Sequence, residues 1–251
     1  SAARIFGGGT STAGTSVLNE AYDGTSFTEE ADLNTPRDKS AGIGTVTDAL
    51  NVAGLDTNIA NVEAWNGASW TEVADLTTGR RQMMGVGLNT PASLVAGGYG
   101  PAYTGATETW NGSSWTEVAD LNTARLSGGG AGTSAAGLVF GGEPLTGKTE
   151  SWNGTGWTEV GDLTTSRFFC GGSGIQTDAL AFGGGPPFDL ALTESWNGTS
   201  WTEVADMAVA KRPSAPKNSA LNSVAMGGGP PATAASEEWT VPDAIKTFTA
   251  S

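Results

Sequence analysis

Residues Thr149 to Trp157 read "TESWNGTGW", and the chain writes that phrase repeatedly: "VEAWNGASW" from Val62, "TETWNGSSW" from Thr107 and "TESWNGTSW" from Thr193. Asn-Gly between β-forming runs is the strongest short signal for a hairpin. "TESW" and "GWTEV" therefore read as two antiparallel strands. A two-residue turn at Asn153-Gly154 puts the tryptophans diagonal to each other on one face of the hairpin. A four-residue loop puts them directly opposite, again on one face.

The first aromatic of each unit falls at Tyr22, Trp65, Trp110, Trp152, Trp196 and Trp239, at spacings of 43, 45, 42, 44 and 43 residues. The second follows five later at Phe27, Trp70, Trp115, Trp157 and Trp201. Glutamate stands two before the first at Glu20, Glu63, Glu108, Glu150, Glu194 and Glu237. Downstream comes "TEVADL" or a variant, then a basic residue: Arg37, Arg80, Arg125, Arg167 and Arg212. Upstream lie short apolar runs ended by glycine, such as "GLVFGG" and "ALAFGG", and before those small-residue runs such as "CGGSGIQTDA". Each unit thus reads as four short strands. Four antiparallel strands at this period describe a propeller blade. The expected fold is all-β, a six-bladed β-propeller with four antiparallel strands per blade. It forms one domain over 1–251, with units near 1–36, 37–79, 80–124, 125–166, 167–211 and 212–251. The glycine-rich strand should be innermost, where blades converge, and the aromatic hairpin outermost, where bulk must fill the widening gap.

Glycine doublets such as Gly141-Gly142, followed by two spaced aromatics, resemble kelch repeats over nearly the whole chain. The likeness departs in having tryptophan at both aromatic positions, and in the second unit, which keeps only Ala53-Gly54 for its doublet. The wording of Trp110 to Arg125, "WNGSSWTEVADLNTAR", also resembles uncharacterised, often virus-encoded, marine repeat proteins. The first unit opens on "ARIFGGG", which aligns with "ALAFGGG" and so lacks its innermost strand. The last unit aligns if Phe248 takes the second aromatic position. That leaves 23 recognisable strands, and the expectation is that "IKTFTAS" crosses to the first blade, or that residues before Ser1 complete it.

Strand order puts the Asn-Gly turns on one face and the variable loops on the other, with the "DLNTAR" connections. Loop variation on a repeated scaffold is where binding concentrates. The candidate binding residues are Tyr99, Tyr103, Phe188 and Asp189, with Arg37, Arg80, Arg125, Arg167 and Arg212 around the rim. The arginines read as fasteners between blades before binding residues, and the tryptophans as inter-blade packing before ligand platforms. The glutamates and the aspartates of "VAD" read as blade contacts before a cation ring, so no metal is expected. Asn111, Asn153 and Asn197 match the glycosylation sequon, but their turn role accounts for them.

A formal charge of −14 repels nucleic-acid phosphates and anionic lipid. No apolar run approaches the roughly 20 residues that span a bilayer, and no signal peptide is visible. The single cysteine, Cys170, excludes an internal disulfide, and the absence of histidine removes serine triads and imidazole-ligated metals. Copper oxidases on kelch-like propellers need that histidine and a Cys-Tyr crosslink. The glycine runs are not phosphate loops, since no helix or Lys-Ser/Thr follows. Neither catalysis nor a cofactor is expected. The expected function is a structural or interaction propeller, virion-associated or extracellular, that binds a protein or glycan through its loop face and assembles into a larger particle. The alternative is a multivalent lectin. "TESWNGTGW" is loosely similar to the Trp-Asp-Gly-x-Gly-Trp stretches of six-bladed fucose lectins, whose Trp, Glu and Arg line sugar pockets between blades.

Overall fold

The computed structural model describes residues 3–8, 14–87, 91–186, 188–212, 215–216, 222–226 and 236–240. The chain is an all-β propeller of antiparallel sheets joined in sequence order. The first sheet holds β1 (Ala3–Phe6), β2 (Asn19–Tyr22) and β3 (Phe27–Glu29). The second holds β4 (Ala41–Gly44), β5 (Ala49–Gly54), β6 (Ile59–Trp65) and β7 (Trp70–Val73). The third holds β8 (Met84–Val86), β9 (Ser93–Ala96), β10 (Thr107–Trp110) and β11 (Trp115–Val118). The fourth holds β12 (Gly129–Gly132), β13 (Gly137–Phe140), β14 (Thr149–Trp152) and β15 (Trp157–Val160). The fifth holds β16 (Gly171–Ile175), β17 (Asp178–Phe182), β18 (Thr193–Trp196) and β19 (Trp201–Glu203). The last holds β20 (Ala215–Pro216), β21 (Asn222–Met226) and β22 (Ser236–Thr240).

This pairing corrects the expected six blades of four strands. Among the described residues, four sheets have four strands and the two terminal sheets have three. Twenty-two strands are enough for five four-stranded blades and not for six. The error has a physical source. The aromatic period counts third strands, and a third strand pairs with its second whether or not a first or a fourth completes the sheet. The segment expected to close the ring, including Phe248, lies outside the described residues.

Glycine-rich first strands are innermost, as expected: β4 touches β8, β8 touches β12, β12 touches β16, and β16 touches β20. A Cβ on Gly130 would lie 2.6 Å from the Gly85 carbonyl oxygen, and one on Gly172 would lie 2.7 Å from that of Gly130. Only a residue without a side chain permits that approach. Gly42 instead faces the Phe6 ring, 3.0 Å from its would-be Cβ.

The outer hairpins settle the turn. Trp152 pairs directly with Trp157, and Trp65–Trp70, Trp110–Trp115 and Trp196–Trp201 do the same. The loop therefore has four residues. Asn153 does not take positive φ. Its Oδ1 accepts from the N–H groups of Thr155 and Gly156, and only Gly154 is left-handed, at φ 93°. This is an Asx turn rather than the two-residue hairpin turn that Asn-Gly suggests. In the first sheet Asp23 does the same work. Hydrogen bonds from the Ser26 N–H, then the Thr25 hydroxyl and N–H, lower its pKa to about 2.

Each tryptophan pair is buried between sheets, with ring centroids 5.2 Å apart for Trp152–Trp157 and 5.4 Å for Trp196–Trp201. The second indole reaches back to the preceding sheet: Trp157 Nε1 donates to Thr107 Oγ1 at 3.1 Å, and Trp201 Nε1 to Thr149 Oγ1 at 3.0 Å. Where the second sheet carries Val62 in the threonine position, Trp115 Nε1 has no described partner. Thr193 Oγ1 likewise has no partner among the described residues, and the sequence given after Trp239 contains no tryptophan. On β5, Asn51 occupies the place of Val95, Val139 and Ala181, opposite the repeat glutamate. Its buried amide has no described partner at either nitrogen or oxygen.

Val62→Thr should supply the missing acceptor for Trp115 and raise unfolding free energy by about 0.5–1.5 kcal/mol in a denaturant titration. Asn51→Val should raise it by about 1–3 kcal/mol, by removing unpaired polar atoms from the interior. A loss of stability in either variant would contradict the packing described.

Candidate functional site

The repeat arginines serve the frame. Arg37 Nη2 lies 2.9 Å from Glu63 Oε1, Arg80 Nη1 2.6 Å from Glu108 Oε1, Arg125 Nη2 3.0 Å from Glu150 Oε1 and Arg167 Nη2 2.9 Å from Glu194 Oε1. All eight side chains are at most 1% exposed. The backbone of each arginine is held by one sheet, as in Gly98 N–H to Arg125 O at 2.8 Å, while its guanidinium reaches a glutamate of the next. The second carboxylate oxygen accepts a backbone N–H from the connection: Asn34, Thr77, Asn122 or Thr164, at 2.7–2.9 Å. Further guanidinium bonds go to carbonyls, among them Asn61 O, Lys148 O and Leu192 O. Burial lowers the pKa of Arg125, while the Glu150 carboxylate acts in the opposite direction. The single cysteine is buried too, and burial raises the pKa of its thiol.

Arg212 does not belong to this series. The Gly184 N–H donates to Lys211 O, as Gly142 does to Arg167 O, so the buried repeat position is Lys211, which is 1% exposed. Arg212 lies one residue on and is half-buried, with Nε 3.0 Å from Asp189 Oδ1 and its guanidinium 5.4 Å from the Phe169 ring. Arg81 stands to Arg80 as Arg212 stands to Lys211. The signal was in the sequence: "RR" at 80–81 and "KR" at 211–212 are tandem bases, the first inward and the second outward.

The loop face gathers what remains. Arg81 lies over Tyr99 at 4.6 Å, and its Nε is 3.6 Å from Asp56 Oδ1, which also takes Lys39 Nζ at 2.6 Å. Tyr99 meets Tyr103 edge to face at 5.7 Å. Tyr103 then donates its hydroxyl to Glu143 Oε1 at 2.8 Å, across to the next sheet's loop. That bond, with burial and the carboxylate's charge adding to it, raises the Tyr103 pKa above the ordinary phenol value. Tyr99 and Tyr103 are thus brought together, while Phe188 and Asp189 stand on the fifth sheet's loop beside Arg212. Glu143 and Arg81 went unnamed from sequence. Their backbones are strapped to the neighbouring connection, Glu143 to Leu126 and Arg81 to Tyr99, by paired N–H···O bonds in both directions. Among the described residues no group of three or more metal-ligating side chains stands together.

No family model matches the chain, and no curated protein matches it. Among the solved structures it resembles is that of YjhT. The two agree with a TM-score of 0.75 over 95% of this chain and 95% of that one, at 11% sequence identity. At that identity the likeness is one of fold.

Glu150→Gln should leave the Arg125 charge buried without its counter-charge and cost about 3–5 kcal/mol of stability by calorimetry. Arg212→Ala, at a partly exposed pair, should cost under about 1 kcal/mol. Glu143→Gln removes the negative charge that disfavours the tyrosinate, so the Tyr103 titration should fall back toward the ordinary phenol value. Ultraviolet difference spectroscopy would show this, and an unchanged titration would break the Tyr103–Glu143 assignment.

Proposed function

We propose that this propeller is a non-catalytic interaction module that holds a protein partner on its loop face. The observation that carries the reading is a succession of exposed apolar side chains on three consecutive loops. Tyr103 is 40% exposed, Leu145 52% and Phe188 78%. Large apolar groups left in water on a rigid frame are what interfaces use as anchors. The opposite face ends in near-identical Asn-Gly turns, whose asparagine oxygens are already bonded within the turn.

The absence of histidine and the enclosure of the repeat carboxylates in ion pairs favour binding over catalysis. The tryptophans that would serve as sugar platforms between blades are interior, so recognition is assigned to the loops rather than the seams. A place on a virion or extracellular surface, within a larger particle, belongs to the same proposal and rests on the wording of the repeat alone.

A photo-crosslinking residue at Leu145 or Phe188 should capture a protein partner in extracts of the source, and one at Ser113 on the turn face should not. Phe188→Asp should reduce that capture about tenfold or more, as loss of an interface anchor does, with unfolding unchanged within about 0.5 kcal/mol. Capture from the turn face, with none from the loops, would overturn the reading.

A further inference from the structure

Among the described residues, three arginines lie over an aromatic ring, and all three also approach a carboxylate. Arg4 sits 4.2 Å from the Trp65 ring with Nη2 2.7 Å from Glu30 Oε2. Arg81 sits on Tyr99 beside Asp56, and Arg212 on Phe169 beside Asp189. The pairing has a common physical basis. A guanidinium presents a weakly hydrated flat face to a π-system while its edge donates to an anion.

Tyr103 and Glu143 form a fourth corner of the same composition, and it lacks the arginine. The Glu143 carboxylate takes the Tyr103 hydroxyl and has no cationic partner among the described residues. Asp56 and Asp189, on the neighbouring loops, are each paired with a cation. Tyr103 is exposed, and Leu145 stands exposed two residues beyond Glu143. The corner is held from behind. Tyr99 braces the tyrosine ring, and the Glu143 backbone is bonded to Leu126 in both directions at 2.8 and 3.0 Å. Little ordering remains to be done on binding.

We infer that the Tyr103–Glu143 corner receives an arginine side chain of the protein partner, its guanidinium stacked on Tyr103 and bonded to Glu143, with an adjacent apolar residue on Leu145. The formal charge of −14 draws cationic partners toward the molecule. This inference rests on the loop-face reading and adds the chemistry of the partner to it.

The chain has three tyrosines, so ring-labelled tyrosine gives three assignable signals, from Tyr22, Tyr99 and Tyr103. The probe is the peptide acetyl-Gly-Arg-Leu-Gly-amide, with its citrulline counterpart as a neutral isostere. The arginine peptide should shift the Tyr103 signal saturably and leave Tyr22 unmoved. Citrulline in the peptide, or Glu143→Gln in the protein, should each weaken binding about tenfold. Equal binding of the citrulline peptide, indifference to Glu143→Gln, or no Tyr103 shift up to about 10 mM peptide would overturn the inference. So would a Tyr103 shift with methyl glycosides and none with the peptide. If crosslinking through Phe188 still captures a protein while the arginine peptide fails, only the arginine corner falls. If both fail, the loop-face reading falls with it.

Discussion

A guanidinium carried by one sheet and a carboxylate carried by the next, both shut away from water, hold the seams of this ring. Taking two charges out of water is costly, and their attraction offsets that cost only when the remaining donors and acceptors are satisfied as well. Here most of them are. Glu150 takes Arg125 on one oxygen and the Asn122 backbone and side-chain amides on the other, and Asn122 goes on to the Trp157 carbonyl. Glu63 repeats the pattern with Arg37, Asn34 and Trp70. The pair therefore does more than attract. It fixes the path of the connection between sheets and the position of the outer hairpin in one network.

Because the arginine carbonyls also accept the N–H of the second doublet glycine, the same connections determine where each variable loop departs. A second belt runs nearer the axis, from Gln82 N–H to Lys39 O, Ser127 N–H to Gln82 O and Phe169 N–H to Ser127 O. These residues hold positive φ without being glycine, a strained geometry that the inter-sheet bonds compensate. The loops thus stand on a frame that is rigid for reasons unrelated to what they bind.

The seams are not equivalent. Between the first and second sheets, Arg4 replaces the leucine of β9, β13 and β17, and Asn19 replaces the threonine of β10, β14 and β18. Arg4 bridges to the Val46 carbonyl, Asn19 and Glu30. That seam is held by polar bonds where the others rely more on leucine packing, and Asn51 leaves part of its polarity unpaired.

Much of this was legible in the chain. The period, the outer hairpin and the crowding that demands glycine on the inner strands are local chemistry repeated, and repetition makes local chemistry readable. The face bearing the variable loops followed from strand order. Other features could not be read that way. Whether Asn-Gly closes a two- or four-residue loop depended on which residue opposes Trp152 across the sheet. Whether an arginine is a surface cation or a buried fastener depended on which residue of a tandem pair faces inward. The number of complete sheets depended on strands that carry no aromatic mark. Tyr103 and Glu143 are 40 residues apart and belong to different loops. The rotation from one sheet to the next makes them neighbours, and that rotation is set by packing at the seams rather than by any residue of either loop.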